Sequence, residues 1–235
     1  MTRHCQILLI ILGVVFLSVQ GKAATPDDYI ETQRPVWTAI WSEMEVDTLL
    51  AESVIYPELV RYSHWQDRIE QVVTVSSYLS QGSQGADFSV GHFQMKASFV
   101  ERLERRWMHC PLSREWEIYF DTGQSQLSRK ARMGRLTSDF WQCVYLGIFL
   151  RLLYIELPEL ADLPMVEQVR LCATAYNHGI EWGRAPEQQM EELYRWSSQA
   201  SYHLDFIATP LTHKSPYAEV AADHYTKLVH ACSRQ

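Results

Sequence analysis

The sequence lacks the short signatures of most enzyme classes. It contains no G-x-G-x-x-G or G-x-x-x-x-G-K-[ST] loop, so the glycine-rich cradles that bind phosphates at helix N-termini are excluded. No G-x-S-x-G occurs either, which removes the nucleophile elbow of α/β-hydrolases. The nine histidines form neither H-E-x-x-H nor any other i, i+4 pair, so a helical metal site has no support and no metal or cofactor is expected. No C-x-x-C pair exists, so zinc ribbons and dithiol redox motifs have no footing. Repeats, low-complexity linkers and composition breaks are missing, and strand signals are scarce. Beyond residue 24 no stretch suits a membrane span. The best candidate, Phe140 to Leu157, is interrupted by Gln142, Arg151 and Glu156 and reads as a buried helix. An excess of base is also absent: 21 Lys and Arg stand against 28 Asp and Glu, which argues against nucleic acid and anionic membrane surfaces.

What is present begins with a leader-like segment. Residues 1–24 carry Arg3 and His4, an apolar run from Ile7 to Val19, and the small-residue stretch Gly21-Lys22-Ala23-Ala24. A charged start, an apolar core too short for a bilayer and a cleavage zone read as a signal peptide. Cys5 precedes the apolar core, so a lipobox is excluded and a freely soluble protein, periplasmic or secreted, is expected. Removing this segment takes away Arg3 and Lys22 and no acid, leaving 19 bases against 28 acids. The remaining 25–235 suffices for one sizeable core and is small for two. Cys110, Cys143, Cys172 and Cys232 then permit up to two disulfides in an oxidising compartment, or serve as plain buried thiols.

Helix punctuation is frequent. Thr25-Pro26-Asp27-Asp28 supplies an N-cap, a proline in the first turn and early acids. Val46, Leu49, Leu50, Ser53 and Val54 recur at helical spacing, predicting a helix from about Met44 that breaks near Pro57. Ser63 to Gln66 has capping-box spacing for a third helix, closed by Gly82 and Gly85. Ala86 to Met95 lacks helical periodicity and reads as extended chain around Gly91. A second capping box, Ser98 to Glu101, opens a helix toward Trp107. One long helix is predicted over Ser128 to Glu156, bent at Gly134. Asp162-Leu163-Pro164 caps the next, which ends at Asn177-His178-Gly179, and helices fill 186–204 and 216–232. The expected class is all-α, with a small irregular or extended segment near 86–95.

Three segments stand out for chemistry. They are Ile55-Tyr56-Pro57-Glu58-Leu59-Val60-Arg61-Tyr62-Ser63, Asp87-Phe88-Ser89-Val90-Gly91-His92-Phe93-Gln94-Met95-Lys96, and Ala175-Tyr176-Asn177-His178-Gly179. Glycosidic cleavage needs a carboxyl that keeps its proton until it meets the bridging oxygen, and burial favours that form. Glu58 follows the apolar stretch Val54 to Pro57 at a helix end, so it can face a cleft with one apolar wall.

In this order the three segments resemble the lysozyme-like soluble lytic transglycosylases, glycoside hydrolase family 23. That family carries a catalytic glutamate at a helix end, then a G-L-M-Q loop, then an A-Y-N-x-G helix end. Gly91 to Gln94 stands for the second element and Ala175 to Gly179 for the third. The chain also looks like a lysozyme-like branch in which P-E-x-x-R-Y-S and D-F-S-x-G-x-F-Q-M-K recur. The resemblance spans roughly Val46 to Gly179 and implies a lysozyme-like catalytic domain over 25–235 acting on peptidoglycan glycan strands. Glu58 would protonate the β-1,4 oxygen between N-acetylmuramic acid and N-acetylglucosamine. It would then act as base toward the muramyl 6-hydroxyl, closing a 1,6-anhydro ring. Ser89, Gly91, His92, Gln94, Tyr176 and Asn177 would bind sugar or hold the carboxyl.

Several alternatives stay open. The family glutamate precedes serine, and Glu52-Ser53 offers that pair, making Glu52 the other candidate acid. Asp87 or Glu70 as a second carboxylate would give a hydrolytic lysozyme. Loss of chemistry with the fold retained would leave a catalytically silent glycan-binding or scaffold protein. The plainer reading of Asn177 and Gly179 is helix termination, and of Ser89 to Gln94 an irregular turn. Trp65, Trp107, Trp116, Trp141 and Trp182 divide between core and sugar stacking, Tyr225 is placed to close a cleft, and Arg61 to complement a helix dipole.

Overall fold

A computed structural model describes residues 25–61, 75–85, 87–198 and 216–233. The signal-peptide reading of 1–24, the capping box at Ser63 to Gln66, Trp65 and Glu70 lie outside these residues. Eight helices of more than ten residues are described: α1 (Pro26–Glu43), α2 (Thr48–Arg61), α3 (Ala97–Met108), α4 (Gln126–Leu136), α5 (Asp139–Glu156), α6 (Met165–His178), α7 (Pro186–Ser198) and α8 (Tyr217–Cys232). A helical stretch at 75–81 runs into a 3-10 turn, Gly82–Gln84. Between it and α3 lies one antiparallel hairpin, β1 (Ser89–Val90) and β2 (Met95–Lys96), with Ser89 opposite Lys96 and Val90 opposite Met95. The described chain is an all-helical domain with this single two-stranded element.

Helix α5 is the axis of the core because its middle is apolar on every side, as expected of a helix segment with no solvent face. Residues Gln142 to Leu150 are buried without interruption. Helices α1 and α3 pack against it, and α2, α6 and α8 form a second group in mutual contact. Trp41 of α1 donates its indole N–H to the Cys143 carbonyl at 3.0 Å. A polar cluster closes the other side. The fully buried Glu104 accepts from Arg132 and Arg135, each at 2.7 Å, and from the Tyr145 hydroxyl. Arg132 also donates to the Tyr78 hydroxyl at 2.8 Å. Burial, above all, pushes the Tyr78 phenol up to about 12, and the cluster ties 75–81, α3, α4 and α5 together.

The N-cap at Thr25 forms as its sequence indicates, and Thr25 and Asp28 go further and exchange both hydrogen bonds of a capping box. Three other boundaries differ from expectation. Helix α2 begins at Thr48, where the Asp47 carboxylate accepts the Leu50 N–H at 2.8 Å, and continues through Pro57 to Arg61. A proline inside a helix removes one donor and crowds the turn before it. Here that turn has outside support, since the Tyr217 hydroxyl of α8 donates to the Val54 carbonyl at 3.1 Å. The predicted box at Ser98 does not form. Asp87 caps α3 from outside, its two carboxylate oxygens accepting the Ser98 N–H at 2.8 Å and the Ser98 hydroxyl at 2.7 Å. The long helix over 128–156 is two helices, parted at Thr137 and Ser138 rather than bent at Gly134. The four described cysteines are free thiols, buried at 110, 143 and 172 and exposed at 232.

Candidate functional site

Helix α2 presents both candidate acids, on different sides. Glu52 is fully buried, and Arg34 of α1 reaches it with a two-pronged contact, Nε to one carboxylate oxygen at 2.8 Å and Nη2 to the other at 2.9 Å. His224 of α8 adds Nε2 at 3.0 Å, and its ring stacks on Tyr56 with centroids 3.7 Å apart. Burial alone would raise the Glu52 pKa, but the hydrogen bonds from Arg34 and His224 outweigh it and hold the carboxyl below its ordinary value. An acid held ionised in this way is a tether between α1, α2 and α8, and it is poorly suited to donate a proton at neutral pH.

Glu58 lies on the same helix in another setting. It is 7% exposed, with Val54 and Ile55 fully buried one turn earlier and Leu59 buried beside it. Facing this end of α2 is Tyr176 of α6. Its phenol pKa is raised well above the ordinary value, first by burial and then by the nearby Glu58 charge. The Tyr176 hydroxyl donates to the Phe93 carbonyl at 2.6 Å. Tyr176 therefore stands between Glu58 and the hairpin turn, and the three sequence segments converge here. The expected bond from the Tyr176 hydroxyl to the Glu58 carboxyl is not the one seen: the phenolic proton is directed to the backbone of the turn.

The turn that carries Phe93 is fixed by a residue that sequence reading treated only as an interruption. Gln142 is buried in α5, and its carboxamide makes three hydrogen bonds: Oε1 accepts the Phe93 N–H at 2.9 Å, while Nε2 donates to Val90 at 2.9 Å and Leu136 at 2.7 Å. Its one legible signal was a lone amide in an otherwise apolar helix. Gly91 is required here for two reasons. Its φ is +71°, and an added Cβ would lie 1.9 Å from Gln142 Nε2. Gln94 also takes a positive φ of 50°, and its side chain donates back to the Gly91 carbonyl at 2.7 Å. The Phe93 ring is buried edge-on against Trp37, centroids 5.4 Å apart. His92 turns outward from this core: its Nδ1 meets Asp139 at 2.9 Å and its ring stacks on Tyr29 at 4.1 Å.

The other predicted residues fall as follows. Ser89 is half-buried in β1, and Asn177 is half-buried in the last turn of α6, which Gly179 closes at φ +96°. Asp87 is committed to Ser98. Trp107 and Trp116 are core residues, Trp141 and Trp182 are half-buried, and Tyr225 packs against the core from α8. Arg61 is the last residue of α2. An open cavity of about 750 Å³ begins at His178 and Gly179, just past Tyr176, and its described wall does not include Glu58. Among the described residues no three His, Cys, Asp or Glu side chains group as a metal site, and no helix is long and apolar enough to cross a membrane. Comparison of the chain with protein-family models, curated proteins and solved structures finds no match.

Proposed function

We propose that this protein is an exported, lysozyme-like lytic transglycosylase that cleaves the β-1,4 bond between N-acetylmuramic acid and N-acetylglucosamine in peptidoglycan, with Glu58 as the single general acid and base. The observation that carries this reading is the meeting of three segments distant in sequence. The buried Glu58 lies near the Tyr176 phenol, and that phenol is bonded to Phe93 in the Gly91 to Gln94 turn.

The local chemistry supports the acid role, because Glu58 is buried and burial disfavours the charged form of a carboxyl. After donating its proton to the departing oxygen, the same carboxylate would take the proton of the muramyl 6-hydroxyl as the anhydro ring closes. The proton count returns to its starting point and no water is consumed. Of the two candidate second carboxylates, Asp87 is occupied as the cap of α3, which favours the one-carboxylate route over hydrolysis.

Digestion of purified sacculi, followed by mass analysis of the soluble products, tests this. Wild-type protein should release anhydro-muropeptides, and Glu58→Gln should release them about 10²–10⁴-fold more slowly, the usual contribution of a general acid. Reducing-end products would replace the transglycosylase assignment with a hydrolytic one. Retention on sacculi without any product would leave a glycan-binding protein.

A further inference from the structure

The cavity that begins at His178 has a composition unlike the rest of this acidic chain. Arg102, Arg105 and Arg106 line one wall from α3, at spacings that place them on one helical face. Arg184 lines the cavity as well, as do Trp182 and Trp196. Two of these four guanidinium groups are already neutralised: Arg106 pairs with Glu156, and Arg184 donates to Glu192 at 2.7 Å. Among the described residues no carboxylate pairs with Arg102 or Arg105. Both are exposed, in a protein whose formal charge is −7.

Complementing a helix dipole accounts for cations in the last turn of α3. It does not account for Arg102, which lies earlier, nor for the convergence of these side chains with two tryptophans on a cavity of about 750 Å³. That volume suits a small ligand rather than a water cluster. Unmatched arginine forks recognise oxyanions, carboxylates above all where the geometry is planar and two-pronged. Tryptophan faces accept aliphatic or sugar surface next to that charge. The position narrows the ligand further. His178 and Gly179 belong both to the cavity wall and to the helix end that carries Tyr176, and Phe99, one turn before Arg102, packs edge-on against Tyr176 with centroids 5.7 Å apart. A ligand bound here would therefore lie beside a strand held at Glu58.

We infer that this cavity is a second binding site, for the carboxylate-bearing peptide branches of the polymer whose backbone is cut at Glu58. Arg102 and Arg105 hold the carboxylate, and Trp182 and Trp196 hold the aliphatic side of the peptide. This inference rests on the cleavage reading for the identity of the polymer, though not for the existence of the site.

The test is calorimetric titration of the full chain with a soluble N-acetylglucosaminyl-N-acetylmuramyl tetrapeptide, which lacks the scissile bond, and with the same molecule carrying amidated carboxyls. Amidation should weaken binding at least about tenfold, and so should the double substitution Arg102→Gln, Arg105→Gln, as expected for loss of charge-assisted hydrogen bonds. The melting temperature of the double variant should stay at the wild-type value because both side chains are exposed. Equal affinity for the free and amidated probes, or wild-type affinity in the double variant, would overturn the inference. Displacement of the probe by inorganic phosphate at a concentration no higher than the probe's own would also overturn it, by showing a general oxyanion site. Protein that binds the acidic probe selectively but releases nothing from sacculi fails the cleavage reading alone. Protein that cleaves sacculi but ignores the probe's carboxyls fails this inference alone.

Discussion

Glu52 and Glu58 lie six positions apart on one helix, both are withdrawn from solvent, and they face different neighbours. Glu52 meets a guanidinium fork and an imidazole, so its negative charge is the form the fold is built around. Glu58 sits near a phenol whose proton is directed elsewhere, at the junction of α2, α6 and the hairpin turn. Burial by itself therefore does not distinguish the two positions, and the cation and imidazole at Glu52 mark that carboxyl as structural.

The largest effect is expected where the Glu58 surroundings are held from behind. Gln142→Leu keeps the volume of the buried side chain but strands the Phe93 N–H and the Val90 and Leu136 carbonyls. At roughly 1–3 kcal/mol for each unsatisfied buried group, with partial relaxation, we expect a loss of about 4 kcal/mol in urea unfolding. Cleavage should fall as well, because the turn that bonds Tyr176 loosens. A stable, fully active Gln142→Leu protein would separate the turn from the site.

Glu52→Gln sharpens the other half of the contrast. Breaking a fully buried ion pair costs about 3–5 kcal/mol, but Arg34 keeps 38% of its side chain in solvent, so about 2–3 kcal/mol is expected. The pH dependence carries a definite sign. Because the folded pKa of Glu52 is depressed, its contribution is present above the ordinary glutamate value of 4.5 and is lost as the pH falls through the folded value. Wild-type stability should therefore drop on acidification from about pH 5 toward 3 more steeply than that of Glu52→Gln. Parallel curves would show that the Arg34 and His224 contacts do not hold the charge.

Tyr176→Phe removes one buried hydrogen bond and leaves the Phe93 carbonyl without it, for a loss of about 1–2 kcal/mol by thermal or urea unfolding. Its cleavage rate should fall further than that stability change explains, since the phenol is bonded to the turn and lies near Glu58. Asp87→Ala removes the cap of α3 and should cost about 1 kcal/mol with the cleavage products unchanged. A switch in product type in that variant would return Asp87 to the chemistry.

Much of the fold was legible where the determinants were local. The Thr25 cap, the buried character of 140–157, the extended turn at Gly91 and the close of α6 at Gly179 all follow from neighbouring residues. The misread boundaries have distant causes. Pro57 stays helical with Tyr217 bonded to the Val54 carbonyl from 163 positions away. Helix α3 is capped by Asp87, eleven positions before Ser98, because Ser98 itself lies inside the helix. The break at Thr137 and Ser138 has no glycine or proline to announce it. At the site, the three segments could be named from their residue types, but the surroundings of Glu52 and Glu58 could not, because Arg34 and His224 reach Glu52 from other helices and Tyr176 of a third lies near Glu58. Gln142 was hidden for the same reason: an amide in an apolar helix announces a partner without saying which.

The most direct test sets the two acids against each other in one assay, with melting temperature and release of anhydro-muropeptides measured together for Glu58→Gln and Glu52→Gln. The account predicts a Glu58→Gln protein that melts near the wild-type temperature and releases almost nothing, and a Glu52→Gln protein that melts lower and still cuts when assayed below its transition. A Glu52→Gln protein that is folded and silent, beside a Glu58→Gln protein that cuts at the wild-type rate, would contradict it.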